Sequence, residues 1–254
     1  MTSEKNGAYI KRFGVDRIIE HHVNAIVFAL LVITGLSQKF HNSGVSQWII
    51  IAMGGIDAER LIHHYLGILF TILLMVHSIQ AAIGVVFRKW QASMLVTMKD
   101  YQDAMVNIFY FFGLAKHPAR CDRYDYRQKF EYWGVVVGGF LMIATGFILW
   151  FPVLSARFLT GDAIPAAKVA HTNEAMLAFL VIITWHIYNA IFSPEVFPLD
   201  TAIFTGKISR ERMLHEHPME LAAIEGVSVE ELLKQTNGKH TVPESQLHEG
   251  HAHS

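Results

Sequence analysis

Seven histidines stand within or beside long uncharged stretches of this chain: His21, His22, His63, His64, His77, His171 and His186. A histidine placed among apolar residues in a bilayer is costly, so it marks function by default. Imidazole offers two chemistries there: it moves protons near neutral pH, or its neutral ring nitrogen binds a metal. The one cysteine, Cys121, cannot by itself ligate an iron–sulfur cluster, close an internal disulfide or make a two-cysteine haem attachment. Any cofactor must therefore rest on histidine.

The elements that carry these residues are legible from composition. Hydrophobic residues make up 52% of the 254 and charged ones 17%. Tyr132 to Ala156 runs 25 residues without Asp, Glu, Lys or Arg; Leu61 to Phe87 runs 27, His21 to Gln38 18, and Ala175 to Ser193 19. A helix needs roughly 20 apolar residues to cross the hydrocarbon core. Four spans follow, at about 18–40, 60–87, 132–151 and 169–192. Four such segments in a soluble protein of this length would leave too little polar surface to cover them. The expected fold is therefore all-α and integral to the membrane. A polar arm at 1–17 precedes a four-helix bundle domain at 18–193, and a tail at 194–254 follows it.

Charge orients the bundle. With four spans, both termini and the loop between spans two and three share one side, and they hold 17 basic residues against 4 on the other. The positive-inside rule places both termini in the cytoplasm. The region before the first span is polar and charged, with no small-residue cleavage site, so a cleavable leader is not expected. Val45 to Gly54 is too short to span and reads as an interfacial segment on the outer face. Between Lys99 and Leu114, apolar residues at helical spacing suggest a helix on the inner surface, stopped by His117-Pro118. Pro152 marks the outer end of span three. In the tail, Val227 to Gln235 is helix-like, and Leu247 to Ser254 is a low-complexity run expected to be disordered.

Topology sorts the histidines by depth. Span one leaves the cytoplasm while spans two and four return to it. His63 and His171 then meet near the outer face, and His21 and His186 near the inner. The 15 residues from His171 to His186 cover about 22 Å of helix, a fitting separation for two macrocycles stacked across a bilayer. Iron ligated by one imidazole on each face has no position open to oxygen and suits electron transfer. The expectation is two b-type haems, with His21, His63, His171 and His186 as axial ligands. Gly35, Gly67, Gly134, Gly138, Gly139 and Gly146 offer room for porphyrin or for close helix approach. His22 and His64 point away from their neighbours and read as polar or haem-edge residues. His77 lies on the face of His63 at the depth of the inner pair. It is an alternative ligand to His21, or a residue of a quinone site.

Several short motifs then align in order: Arg12-Phe13 with His21 and Thr34-Gly35; Leu61-Ile62-His63-His64-Tyr65-Leu66-Gly67; Tyr124-Asp125-Tyr126-Arg127-Gln128-Lys129; Thr145-Gly146; His186-Ile187-Tyr188; and Gly206-Lys207-Ile208-Ser209-Arg210 with His217-Pro218. From Arg12 to about Pro218 the chain resembles the cytochrome b (gamma) subunits of respiratory formate dehydrogenases, with relatives in nickel–iron hydrogenases and thiosulfate reductases. The resemblance implies the same ligand pairs and reduction of menaquinone or ubiquinone beside the inner haem. It carries the quinone site to His186, Gln128 and Asp125. Asp125 and Arg127 stand where the family has an asparagine and a glycine, and the two span-four histidines are one residue further apart. An acid, an arginine and a histidine at that interface suit the two protons that quinone reduction consumes.

The resulting expectation is an electron-transfer subunit with no substrate-oxidising site of its own. It would sit in a bacterial or archaeal cytoplasmic membrane, multi-pass and in contact with lipid. Its partners would be an iron–sulfur or multihaem cytochrome subunit of a larger redox complex and a quinone, and not nucleic acid. The competing class is a metal-ion transporter, suggested by the intramembrane histidines and by His248, His251 and His253. Metal pathways favour carboxylates among the histidines, and within the spans the sequence reading finds only Glu174.

Overall fold

The computed structural model describes residues 9–194 and 196–240. The first residues of the N-terminal arm and the run Leu247 to Ser254 lie outside them. The chain divides into two compact units. One comprises residues 11–95 and 127–207, and the other 1–10, 96–126 and 208–254.

Four long helices make the larger unit: α1 (Val15–Lys39), α3 (Ile56–Val86), α5 (Tyr126–Trp150) and α7 (Ala163–Val181). With its continuation to Phe192, the last joins the other three as helices long and apolar enough to cross a membrane. Their outward side chains are apolar and exposed, Ile72, Val137 and Leu177 among them. In water such surface would be unstable; against lipid tails it is neutral, and the helices are held by packing and hydrogen bonds instead. Gly139 shows that packing: a Cβ there would lie 2.8 Å from the Leu74 side chain and 3.2 Å from that of Phe70, both on α3, so those side chains would have to shift to admit one.

Short helices join the long ones. α2 (Gly44–Ala52) is capped by Ser43, whose side chain accepts from Ser46 N–H at 3.1 Å. Pro152 does two things at the far end of α5. It disfavours helical geometry in the residue before it, and it opens α6 (Pro152–Phe158) at a position where its missing N–H costs nothing. After α7, the helix continues through two π-helical turns, Ile182–His186 and Tyr188–Phe192. α8 (Ala202–Thr205) ends in Gly206, whose φ of +71° and 2.7 Å approach of a Cβ to the Phe13 carbonyl both demand glycine. The Gly206 carbonyl accepts from the N–H groups of Arg12 and Phe13.

The smaller unit contains α4 (Met98–Phe111), α9 (Arg210–Glu216), α10 (Pro218–Glu225) and α11 (Val229–His240). Two three-residue strands, β1 (Tyr9–Lys11) and β2 (Lys207–Ser209), pair with each other. A capping box between Thr97 and Asp100 starts α4. The expected stop at His117-Pro118 is corrected: α4 ends at Phe111, and Gly113 with φ +71° follows it. A left-handed glycine ends a helix more sharply than a proline five residues later. Ile208, Met213, Leu221 and Leu232 form a small water-type core. Around it Arg123 reaches Glu220 at 2.6 Å, and His217 Nδ1 donates to the Asp122 carbonyl at 2.7 Å. Arg210 forks onto Glu225 at 2.5 and 2.8 Å, and those hydrogen bonds hold the carboxyl below the usual carboxylate range.

Candidate functional site

Two pairs of imidazoles face each other in the larger unit. His63 of α3 and His171 of α7 have ring centroids 6.5 Å apart, and His21 of α1 and His186 of the first π-turn 6.2 Å. Metal–imidazole bonds of about 2 Å on opposite faces of one ion put ring centroids roughly 6 Å apart. Both pairs therefore have the spacing of bis-imidazole ligation, and both join helices distant in sequence.

The hydrogen bonds decide which nitrogen is offered. Thr34 Oγ1 donates to the Leu30 carbonyl at 2.8 Å, so it accepts from His63 Nδ1–H at 2.7 Å. Thr145 Oγ1 likewise donates to the Leu141 carbonyl at 2.7 Å and accepts from His171 Nδ1–H at 2.9 Å. With the proton held on Nδ1, each Nε2 keeps its lone pair for a metal. Beside each threonine stands a glycine: a Cβ at Gly35 would come 3.4 Å from His63 Cε1, and one at Gly146 3.4 Å from His171 Cε1. The two Thr-Gly dipeptides thus seat the two rings in the same way. Valine in place of Thr34 or Thr145 should weaken haem retention about 10- to 100-fold, since outer partners of metal ligands typically have that effect. Haem loss during dilution in detergent measures it.

The second pair is backed differently. His186 Nδ1 donates to Glu131 Oε2 at 3.1 Å, while His21 Nδ1 is buried with no hydrogen-bond partner among the described residues. A carboxylate behind an imidazole makes the ring a stronger electron donor than a hydroxyl does. Sequence reasoning missed Glu131, because a glutamate just outside an uncharged run reads as a headgroup anchor. The same holds for Glu20 and Glu59. Glu20 takes hydrogen bonds from His77 and Arg17. Glu59 is fully buried and hydrogen-bonds Ser37, one turn from the Thr34–His63 contact. Glu174 is therefore not alone as a carboxylate in the long helices; its side chain packs at Gly138.

The remaining histidines have other occupations. His22 Nδ1 donates to the Ile18 carbonyl at 2.7 Å, and His64 stacks on Trp150 with centroids 4.4 Å apart. His77 is engaged at both nitrogens, by Glu20 at 2.5 Å and by the Tyr132 hydroxyl at 3.0 Å. Among the expected quinone residues, Arg127 and Gln128 are exposed on the first turn of α5. Asp125 is buried and falls in the other unit. A Cβ at Gly67 or Gly134 would meet nothing within 4 Å, which leaves open space along α3 and α5.

The extra residue between His171 and His186 has a structural counterpart. In an unbroken α-helix 15 steps turn about 60° past full turns, and 14 stop about 40° short. The π-turn at Ile182–His186 takes up one residue, so both histidines face one interior. Among the described residues no three His, Cys, Asp or Glu side chains cluster as a metal-ion site. Paired imidazoles alone, open on the axis between them, suit a macrocyclic iron that supplies its own equatorial ligands.

Comparison with known proteins agrees with this chemistry. The profile of the prokaryotic cytochrome b561 family matches residues 15–205. The chain is 23% identical over 216 residues to the formate dehydrogenase, cytochrome b556(fdo) subunit of Escherichia coli K12, covering 82% of this chain and 90% of that one. It is 22% identical over 204 residues to the formate dehydrogenase, nitrate-inducible, cytochrome b556(Fdn) subunit of the same strain, covering 80% and 86%. The corresponding nitrate-inducible subunit of Shigella flexneri is equally similar, at 22%. With four helices able to cross a membrane and a family match over most of its length, this chain belongs to the prokaryotic cytochrome b561 family.

Proposed function

We propose that the protein is a dihaem cytochrome b subunit that carries electrons across the membrane, between a partner oxidoreductase subunit and a quinone. The observation that carries this reading is the presence of two imidazole pairs, at 6.5 and 6.2 Å, toward opposite ends of one bundle. A b-type haem held between two imidazoles supplies one-electron transfer without binding oxygen. His63 and His171 hold the outer site, with Thr34 and Thr145 fixing their rings. His21 and His186 hold the inner one, with Glu131 behind His186. The names of the similar proteins favour a formate-oxidising complex, whose iron–sulfur or multihaem subunit would deliver electrons at the outer site. Both termini lie in the cytoplasm, as the basic loops favour.

Menaquinone or ubiquinone would bind on the cytoplasmic side, beside the first turns of α5. There Gln128 can donate to a quinone oxygen and Arg127 can stabilise negative charge developing on it. His186 is tied to the same helix through Glu131, one turn from Gln128. Gln128→Ala is expected to slow reoxidation of the reduced protein by a quinone while leaving haem content and spectra intact. Asp125→Ala, made in parallel, tests the buried acid that the sequence reading included.

The reading as a whole is tested by a reduced-minus-oxidised spectrum and pyridine haemochrome analysis of the purified chain. Two non-covalent b haems per polypeptide are expected. Covalent haem, or less than one per chain, would refute it.

A further inference from the structure

The larger unit holds a second set of titratable side chains that neither imidazole pair uses. His77 of α3 is gripped from two other helices. Its Nδ1 donates to Glu20 Oε1 of α1 at 2.5 Å, and its Nε2 lies 3.0 Å from the hydroxyl of Tyr132 on α5. Arg17 holds the other oxygen of Glu20 at 2.6 Å and stands 3.4 Å from His77 Nδ1. Among the described residues, Glu20, Arg17 and Tyr132 are the titratable or charged groups in contact with His77, and its own helix adds none within a turn.

A structural strut alone explains this array poorly. Removing an arginine, a carboxylate, an imidazole and a phenol from water costs more than the apolar packing that would join three helices as well. The arrangement does have the form of a proton-transfer pair, imidazole to phenol, with a carboxylate orienting the imidazole. Its place is also informative. Glu20 directly precedes His21, and Tyr132 directly follows Glu131, the partner of His186. Gln128 lies four residues before Tyr132 on α5, hence on the same helical face. Water has access at one end, where the side chains of Arg17, Glu20 and His77 are 31%, 23% and 21% exposed.

We propose that Tyr132 is the proton donor to the quinone and that His77 replaces the proton it gives. The proposal rests on the quinone-reducing function above and deepens it. Reduction of a quinone to a quinol takes two electrons, delivered through the chain from its redox partner, and two protons. For each proton, the O–H bond of Tyr132 breaks as an O–H bond forms on the quinone. The phenolate then takes the proton from Nε2 of protonated His77, which leaves a neutral ring with its Nδ1–H on Glu20, and Nε2 regains a proton from cytoplasmic water. Glu20, itself held by Arg17, keeps the ring aimed at Tyr132.

The test uses the full chain loaded with haem and reduced by dithionite, then mixed with a short-chain ubiquinone or menaquinone analogue at a series of pH values. Ferricyanide, which takes electrons without protons, is the control oxidant. For the unaltered chain, quinone-driven reoxidation should slow as pH rises, because the reaction takes up protons from water, while oxidation by ferricyanide should not. His77→Asn and Tyr132→Phe should each slow it by about 100-fold or more, the usual scale for loss of acid–base catalysis. The His77→Asn rate should depend on pH less steeply than that of the unaltered chain, and added imidazole should restore part of the rate in His77→Gly. Rates equal to the unaltered chain in both variants would overturn the proposal. So would loss of a haem in His77→Asn, which would make His77 a ligand. If ferricyanide oxidises the unaltered chain and neither quinone does, the quinone function fails and this proposal with it. A defect confined to the variants' quinone reaction supports both.

Discussion

Replacing His63 or His171 by alanine is expected to remove one haem, the same one in both variants, and to halve the haem per chain. His21→Ala and His186→Ala should each remove the other. The expectation follows from pairing across the bundle: each site draws its two imidazoles from different helices, at centroid distances of 6.5 and 6.2 Å. One imidazole cannot keep a low-spin, six-coordinate iron, so loss of either partner abolishes the characteristic spectrum of that site. Redox titration identifies which haem survives, since the Thr-backed and Glu-backed sites differ in their surroundings. His77→Ala should retain both haems, because Glu20 and Tyr132 already occupy both of its ring nitrogens. Loss of a haem in His77→Ala, with both retained in His21→Ala, would instead pair His77 with His186.

Changing the length of the helix between His171 and His186 should have an equally large and asymmetric effect. Deleting Thr184 removes the residue that the π-turn accommodates, and 14 α-helical steps still return His186 to the bundle interior. Both haems are expected to remain. Inserting one alanine after Ile183 instead rotates His186 by about 100° away from His21, so the inner haem should be lost while the outer one stays. Pyridine haemochrome analysis of the two variants separates these outcomes. Equal haem loss in both would show that the π-turn is a fixed requirement of the site. Equal retention would show that His186 is not a ligand.

The Thr-Gly dipeptides illustrate how one local pattern serves the site twice. Thr34-Gly35 sits in α1 and seats a histidine from α3, while Thr145-Gly146 sits in α5 and seats one from α7. All four long helices therefore contribute to the His63–His171 pair, two with imidazoles and two with the hydroxyls that hold them. The inner site lacks that symmetry. Glu131 supports His186, and no described residue supports His21 through its Nδ1. Under the proposed dihaem function, iron held by pairs backed by different chemistry would differ in potential between the two ends.

Much of this was determined by the sequence alone. Uncharged runs of 18 to 27 residues already point to membrane helices, because hydropathy and length are local properties. Once four spans alternate in direction, depth follows by counting, and the pairs His63–His171 and His21–His186 follow from depth. What counting cannot reach is lateral. Which helix neighbours which, and what lies behind each ring, depends on packing between residues tens of positions apart. Thus Thr34-Gly35 and Thr145-Gly146 stood out only as short motifs with no partner assigned, and Glu20, Glu59 and Glu131 at the edges of the uncharged runs gained partners only in the fold. His77 stayed ambiguous for the same reason, since its depth was known but its partners were not. The π-turn, too, belongs to tertiary structure. An extra residue in an apolar helix leaves hydropathy unchanged, and only the need to face both histidines inward requires the backbone to absorb it.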